Sequence, residues 1–325
     1  MSLRNPDLYH GAKKTKNFFE GWYFKIADKS GDHVLAFIPG ISLGSSNEYS
    51  HSFLQIVNGI NLKYDYLKYD LESFKYETDC FEVSVNQNNF SLDGLTLDID
   101  ENGTKIYGVI KFSNVVKWPD TFLNPGSMGF YNYLTFMECY SQVSAIDIEL
   151  SGNLNINGEE VSFDDGKGYI EKNWGREFPY SWIWVQGNNF KQKHASITCS
   201  IGRVPFLSTT FKGFLIGLSI EDKFYEFTTI NRSKFNIIKT DIGIDIDCEN
   251  KDHILKIIVS TENSSFMTLK GPRDGDMIPL VDESLSGIVS VELISKKDNS
   301  ILFKDESNAA GVEYGGKQRF MIDQE

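Results

Sequence analysis

The residue types able to do chemistry in this chain are carboxylates and amides set among aromatic side chains in short β-rich runs. Side chains on a strand alternate between its two faces, so residues two apart share a face. In NFFEGWYFK one face carries Glu20, Trp22 and Phe24. In GYIEKNWG, Glu171 and Asn173 share a face, and Lys172 and Trp174 take the other. Trp182, Trp184, Gln186 and Asn188 line one face of SWIWVQGNNF, and His51, Phe53 and Gln55 do so in SHSFLQI. Two further carboxylates, Glu138 and Glu283, stand beside small polar residues at strand starts. Each set joins large π surfaces to one or two hydrogen-bonding groups, which suits the wall of a cavity for an amphipathic aromatic ligand.

A structural reading stands beside that one. A tryptophan on the first strand of an up-and-down barrel commonly plugs the closed end, with a charged group packed on the indole. Trp22 and Trp174 fit that role, and Glu171 beside Lys172 reads equally as half of an ion pair. Gln186 and Asn188 are harder to place in a plain core, because each would need buried partners.

The elements that must position these residues are strands. Runs such as HVLAFIPG, HSFLQIVNG, KIYGVIKF, VSAIDIEL, ASITCSI, GFLIGLSI, HILKIIVS and GIVSVELI are crowded with Val, Ile and Phe. Turn chemistry separates them at Asn102-Gly103, Asn157-Gly158, Lys29-Ser30-Gly31 and Lys297-Asp298-Asn299. Helical periodicity is scarce, so the pattern predicts an all-β antiparallel fold. Residues 120–138 are the exception and read as an irregular connection or a short helix. Similar strings recur at a near-constant offset of about half the chain. Glu20 and Trp22 are echoed by Glu171 and Trp174, and the block 125–150 by 271–294, with Glu138 matching Glu283. Two echoes in the same order imply an internal duplication, with one β-barrel over residues 1–165 and a second over 166–325.

Composition bounds the rest. The chain has 325 residues, 41% of them hydrophobic and 14% aromatic, which is globular and long enough for a real core. Its net charge of -13 argues against nucleic acid, whose phosphates call for clustered Lys and Arg. The basic cluster Lys13, Lys14 and Lys16 reads as a solvated N-terminal segment. Cys80, Cys139, Cys199 and Cys248 form no Cys-x-x-Cys pair and the five histidines are scattered singly, so no metal site is expected. Without a secretory signal, a transit peptide or a bilayer-spanning apolar run, the expectation is a soluble, cytoplasmic protein. Its Lys-, Asn- and Ile-rich usage suggests a low-GC bacterium as the expected source.

The strings NFFEGWYFK, WPDTFLNPGSMGFYNYLTFMECYSQVSAIDIELSG, GYIEKNWGREFPYSWIWVQGNNF and ESLSGIVSVEL…AAGVEYGG resemble the tocopherol cyclase family, in the family's order, from about residue 17 to 317. The resemblance implies two lipocalin-like β-barrels. It also implies a redox-neutral cyclisation, without a cofactor, in which a prenylated hydroquinone closes to a chromanol. Protonating a trisubstituted alkene makes a tertiary carbocation, so such a site needs a well-placed acid, aromatic faces for the cation, and an acceptor for the phenolic proton. Water must be kept out. Here Glu171 is the first candidate acid and Glu20 the second, ahead of Glu138 and Glu283. Trp22, Trp174, Trp182 and Trp184 would stabilise the cation. Asn173, Gln186, Asn188 and Gln55 would orient the quinol oxygens, with His51 beside them. The chain departs from the family after Met137-Glu138-Cys139. Relatives carry a His-Gly pair there and a further His downstream, where this chain has Ser141-Gln142 and Ile148. Two rival readings use the same residues: a non-catalytic carrier of a hydrophobic ligand, and a carotenoid-hydratase-like enzyme in which water traps the cation. The expected partner is therefore a hydrophobic or amphipathic small molecule, with a transient membrane-surface contact as its source.

Overall fold

A computed structural model of the chain describes residues 4–59, 61–192, 194–206 and 209–316. It is built almost wholly from antiparallel strands. The first sheet contains β1 (Phe18–Ala27), β2 (Val34–Leu43), β3 (His51–Asn58), β4 (Lys63–Tyr69), β5 (Phe74–Tyr76), β6 (Glu82–Val85), β7 (Asn88–Ser91), β8 (Gly94–Glu101), β9 (Thr104–Val116), β10 (Cys139–Ile156), β11 (Glu159–Ser162) and β12 (Lys167–Gly175). The second contains β13 (Ser181–Gly187), β14 (Asn189–Phe190), β15 (Ala195–Phe206), β16 (Thr209–Ile220), β17 (Lys223–Thr228), β18 (Lys234–Lys239), β19 (Gly243–Glu249), β20 (His253–Ser260), β21 (Met267–Arg273), β22 (Asp276–Ser295) and β23 (Ile301–Gly316). Each sheet curls into a lipocalin-like half-barrel, the predicted class. Residues 120–138 form an irregular connection with a short 3-10 helix at Gly129–Tyr133. Among the described residues no helix is long and apolar enough to cross a membrane.

The two sheets repeat one strand order. In the first, β1 is flanked by β2, β3 and β4 on one side and by β12, β10, β9 and β8 on the other. In the second, β13 is flanked by β15, β16 and β17, and by β23, β22, β20 and β19. The echo of 125–150 in 271–294 therefore joins corresponding strands, β10 and β22. The echo of Glu20 in Glu171 does not, because β1 and β12 are neighbours in the same sheet, with Tyr23 opposite Glu171 and Glu20 opposite Trp174.

The chain divides into one compact unit of Met1–Phe178 with Thr268–Leu280, and another of Pro179–Met267 with Val281–Glu325. A boundary at 165/166 would cut ahead of β12, whose hydrogen bonds to both β1 and β10 complete the first sheet. The turns follow their residues. Asn102-Gly103 and Asn157-Gly158 both have positive φ, the backbone a tight two-residue hairpin needs. The first core lies inside its half-barrel and includes Trp22, Phe24, Phe37, Leu54, Phe90, Ile148 and Phe163. The second is mainly aliphatic, with Ile183, Val185, Ile197, Ile216, Ile257 and Val312 beside Phe227 and Phe303.

Candidate active site

The strongest electrostatic feature of the first unit lies inside the half-barrel. Glu20 and Lys172 are both fully buried, with Lys172 Nζ 2.7 Å from Glu20 Oε1. The ammonium also donates to the carbonyls of Pro6, at 2.9 Å, and of Leu8. It lies 5.2 Å from the ring centre of Trp22 and 4.7 Å from that of Trp174. His10 closes the cluster: its backbone N–H donates to both oxygens of Glu20, and its ring stacks on Trp174 at 4.3 Å. Burial pushes the Lys172 ammonium below the ordinary lysine range, and Glu20 works against that shift. Trp22 and Trp174 thus pack on a buried cation, the structural role, and the anion that pairs with Lys172 is Glu20. Neighbouring residues on a strand point to opposite faces, so Lys172 and Glu171 do not form the pair. Glu20 is committed to this ion pair and lies away from Glu171.

Glu171 is on the opposite face of the same sheet, where it is 5% exposed. Three donors converge on it. Ser141 Oγ donates to Oε1 at 2.9 Å, Tyr169 hydroxyl to Oε2 at 2.6 Å, and Asn173 Nδ2 to Oε1 at 3.4 Å. β12 supplies Tyr169, Glu171 and Asn173 by simple alternation, and β10 brings Ser141 opposite Asn173 and Val143 opposite Glu171. On the other side Tyr23 of β1 faces Glu171 and Gly21 faces Asn173. Asn173 therefore joins Glu171 as expected. Tyr169 was legible in the sequence as the residue two positions before Glu171 on the same face. Ser141 comes only from strand register.

The row through Asn173 continues across the sheet to Gly21, Gly40, Phe53 and Lys68. The paired glycines remove two side chains from its middle, and the Phe53 ring lies over Gly40. Beyond them His51, Phe53 and Gln55 share this face, about three strand spacings or roughly 14 Å from β12. His51 Nδ1 is 2.9 Å from the Tyr49 carbonyl, which can only accept, so Nδ1 carries the proton. Nε2 then accepts the Tyr66 hydroxyl at 2.6 Å. Burial lowers the affinity of His51 for a second proton and pushes the Tyr66 phenol above its ordinary range. Gln55 accepts from the Tyr64 hydroxyl at 2.5 Å, and Tyr64 accepts the Lys270 N–H at 2.9 Å. Phe53 stacks on Tyr66 with ring centres 5.4 Å apart. An open polar pocket of about 640 Å³ borders His51, Lys68 and Asp70.

In the second unit Trp182, Trp184 and Gln186 share the face of β13 turned away from the aliphatic core, and all three are buried, as is Asn188 just beyond the strand. Trp182 Nε1 donates to Glu313 Oε2 at 3.1 Å. Glu313 is flanked by Trp184 on one side and by Glu283 on the other. Glu283 is fully buried. Glu313 escaped the sequence reading because only strand pairing sets it between Trp184 and Glu283. Glu138 precedes β10, half-buried, and its backbone carbonyl accepts the N–H of Arg176 at 2.7 Å.

Comparison with known proteins agrees with this architecture. The sequence profile described as Tocopherol cyclase-like matches residues 78–316. A tocopherol cyclase, chloroplastic, from Zea mays is 29% identical over 376 aligned positions that cover 97% of this chain and 78% of the relative. Among solved structures, CghA superposes with a TM-score of 0.59 at 9% identity, covering 92% of this chain and 88% of that one. Kievitone hydratase from Nectria haematococca gives 0.50 at 12%, covering 96% and 94%. At such identities the structures speak for the fold. With a profile match over well more than half its length, the chain belongs to the tocopherol cyclase-like family.

Proposed function

We propose that the protein is an alkene-protonating enzyme that closes a prenylated hydroquinone to a chromanol, with Glu171 as the proton donor. The carrying observation is the set of donors on Glu171. An acid strong enough to protonate an alkene needs a stabilised conjugate base. The hydroxyls of Ser141 and Tyr169 and the amide of Asn173 already point at the two oxygens where the negative charge would appear. The carboxyl gives its proton to the less substituted alkene carbon, leaving a tertiary cation. Tyr23, facing Glu171 from β1, offers that cation a π face. The phenolic oxygen attacks the cation, the C–O bond forms, and the phenolic proton returns to the carboxylate. Atoms and electrons balance, and the carboxyl is restored. Burial of the site keeps water from competing for the cation. Trp22 and Trp174 have no part in this step, because they lie on the other face of the sheet.

The test is incubation with a panel of prenylated hydroquinones, followed by mass and retention time of the released compound. A product of unchanged mass and altered retention, formed by the wild type and lost by about a thousandfold in Glu171→Gln, is the expected result. Equal turnover by Glu171→Gln removes Glu171 from the role. A product heavier by one water makes the enzyme a hydratase, and a ligand returned unchanged makes the protein a carrier.

A further inference from the structure

The connection between β9 and β10 holds large apolar side chains in the open. Phe122 is 65% and Leu123 72% exposed, and Phe130, Tyr133 and Phe136 are also exposed within the same fifteen residues. The loop that presents them is built. Trp118 is buried at its base. The Tyr133 hydroxyl donates to the Phe122 carbonyl at 2.7 Å, Asn132 Nδ2 to the Pro125 carbonyl at 2.6 Å, and the Gly126 N–H to Asp120 at 3.2 Å. An ordered loop that spends its side chains outward has a partner in view.

The charges around it identify that partner. The chain as a whole is strongly acidic, yet the N-terminal segment, whose Arg4 and Asp7 meet this loop, carries exposed Arg4, Lys13, Lys14 and Lys16. The Arg4 guanidinium sits 4.6 Å from the ring centre of Phe122, and Lys117 at the foot of the loop is exposed as well. Two acids at the loop are engaged, Asp7 by Lys117 and Asp120 by the Gly126 N–H. Exposed aromatic and leucine side chains with an arginine on the Phe122 ring match the boundary between acyl chains and anionic headgroups. A second copy of the chain is a poorer match, since a stable protein interface takes about 20–30 residues a side and the loop offers five large side chains.

We infer that Phe122 and Leu123, with Arg4 beside them, form a docking surface for an anionic lipid bilayer. The surface is separate from Glu171, so its test is independent of the proposed reaction. The experiment is flotation of the full chain with vesicles of phosphatidylcholine, alone or mixed with phosphatidylglycerol. Binding is expected to the mixed vesicles. It should weaken about tenfold or more in Phe122→Ser/Leu123→Ser, and by about fivefold in Arg4→Gln, which removes one charge. These side chains are exposed, so the variants should melt like the wild type. The inference is overturned if the wild type ignores both vesicles or if the apolar variant binds as well as the wild type. It is equally overturned if sedimentation reveals a dimer that Phe122→Ser/Leu123→Ser abolishes while vesicles bind nothing.

Discussion

Glu20 and Lys172 face one another 2.7 Å apart inside the first half-barrel, both wholly removed from solvent. Two ions in that position are tolerable only together, because each alone carries an unpaid desolvation cost. Glu20→Gln should therefore destabilise the protein by about 3–5 kcal/mol, measured by denaturant titration. Glu20→Leu combined with Lys172→Met should recover a large part of the loss. A double variant as unstable as the sum of the singles would show that the pair is not a unit.

His51 sets a pH dependence whose sign follows from its burial. The folded protein keeps its imidazole neutral below the ordinary value of 6.5, where the unfolded chain is already protonated. Its contribution to stability is complete above 6.5 and is lost as pH falls below it toward the lower folded value. The stability gap between the wild type and His51→Gln should accordingly narrow on acidification. A gap that stays constant between pH 7 and pH 5, a span of about 2 units around the ordinary value, would mean that His51 binds its proton equally well in the folded and the unfolded chain, and a gap that widens would mean that the fold favours the protonated ring.

Gly21 and Gly40 are paired neighbours with different surroundings. A Cβ at Gly40 would run into the Phe53 ring and come within 2.7 Å of the Glu20 carbonyl, whereas at Gly21 the nearest atoms are 3.6 to 3.8 Å away. Gly40→Ala should cost about 1–3 kcal/mol through overpacking. Gly21→Ala should leave the melting temperature nearly unchanged, yet raise KM by placing a methyl group on the face that carries Asn173. Equal destabilisation by both would contradict the packing described.

Tyr169→Phe and Ser141→Ala each remove one donor from Glu171 and change little else. Each should lower kcat by about tenfold at similar KM, the mark of an interaction that strengthens in the transition state. A pure KM effect would assign these hydroxyls to substrate binding instead.

Strand alternation, the two-residue turns and the repeated pattern were legible in the sequence because each depends only on residues close together in the chain. That reasoning also put Glu171 with Asn173, and Trp182 with Trp184 and Gln186, on common faces. It had no means of choosing partners across strands. Lys172 bonds to Glu20 rather than to its neighbour Glu171 because β12 lies beside β1, a fact of sheet order. The same order turned the Glu20 and Glu171 echo into a contact between adjacent strands. Register alone delivered Ser141 to the Glu171 cluster and set Glu313 between Trp184 and Glu283. Periodicity along a strand is local and can be read from residue types, but the alignment of distant strands is decided when the whole core closes.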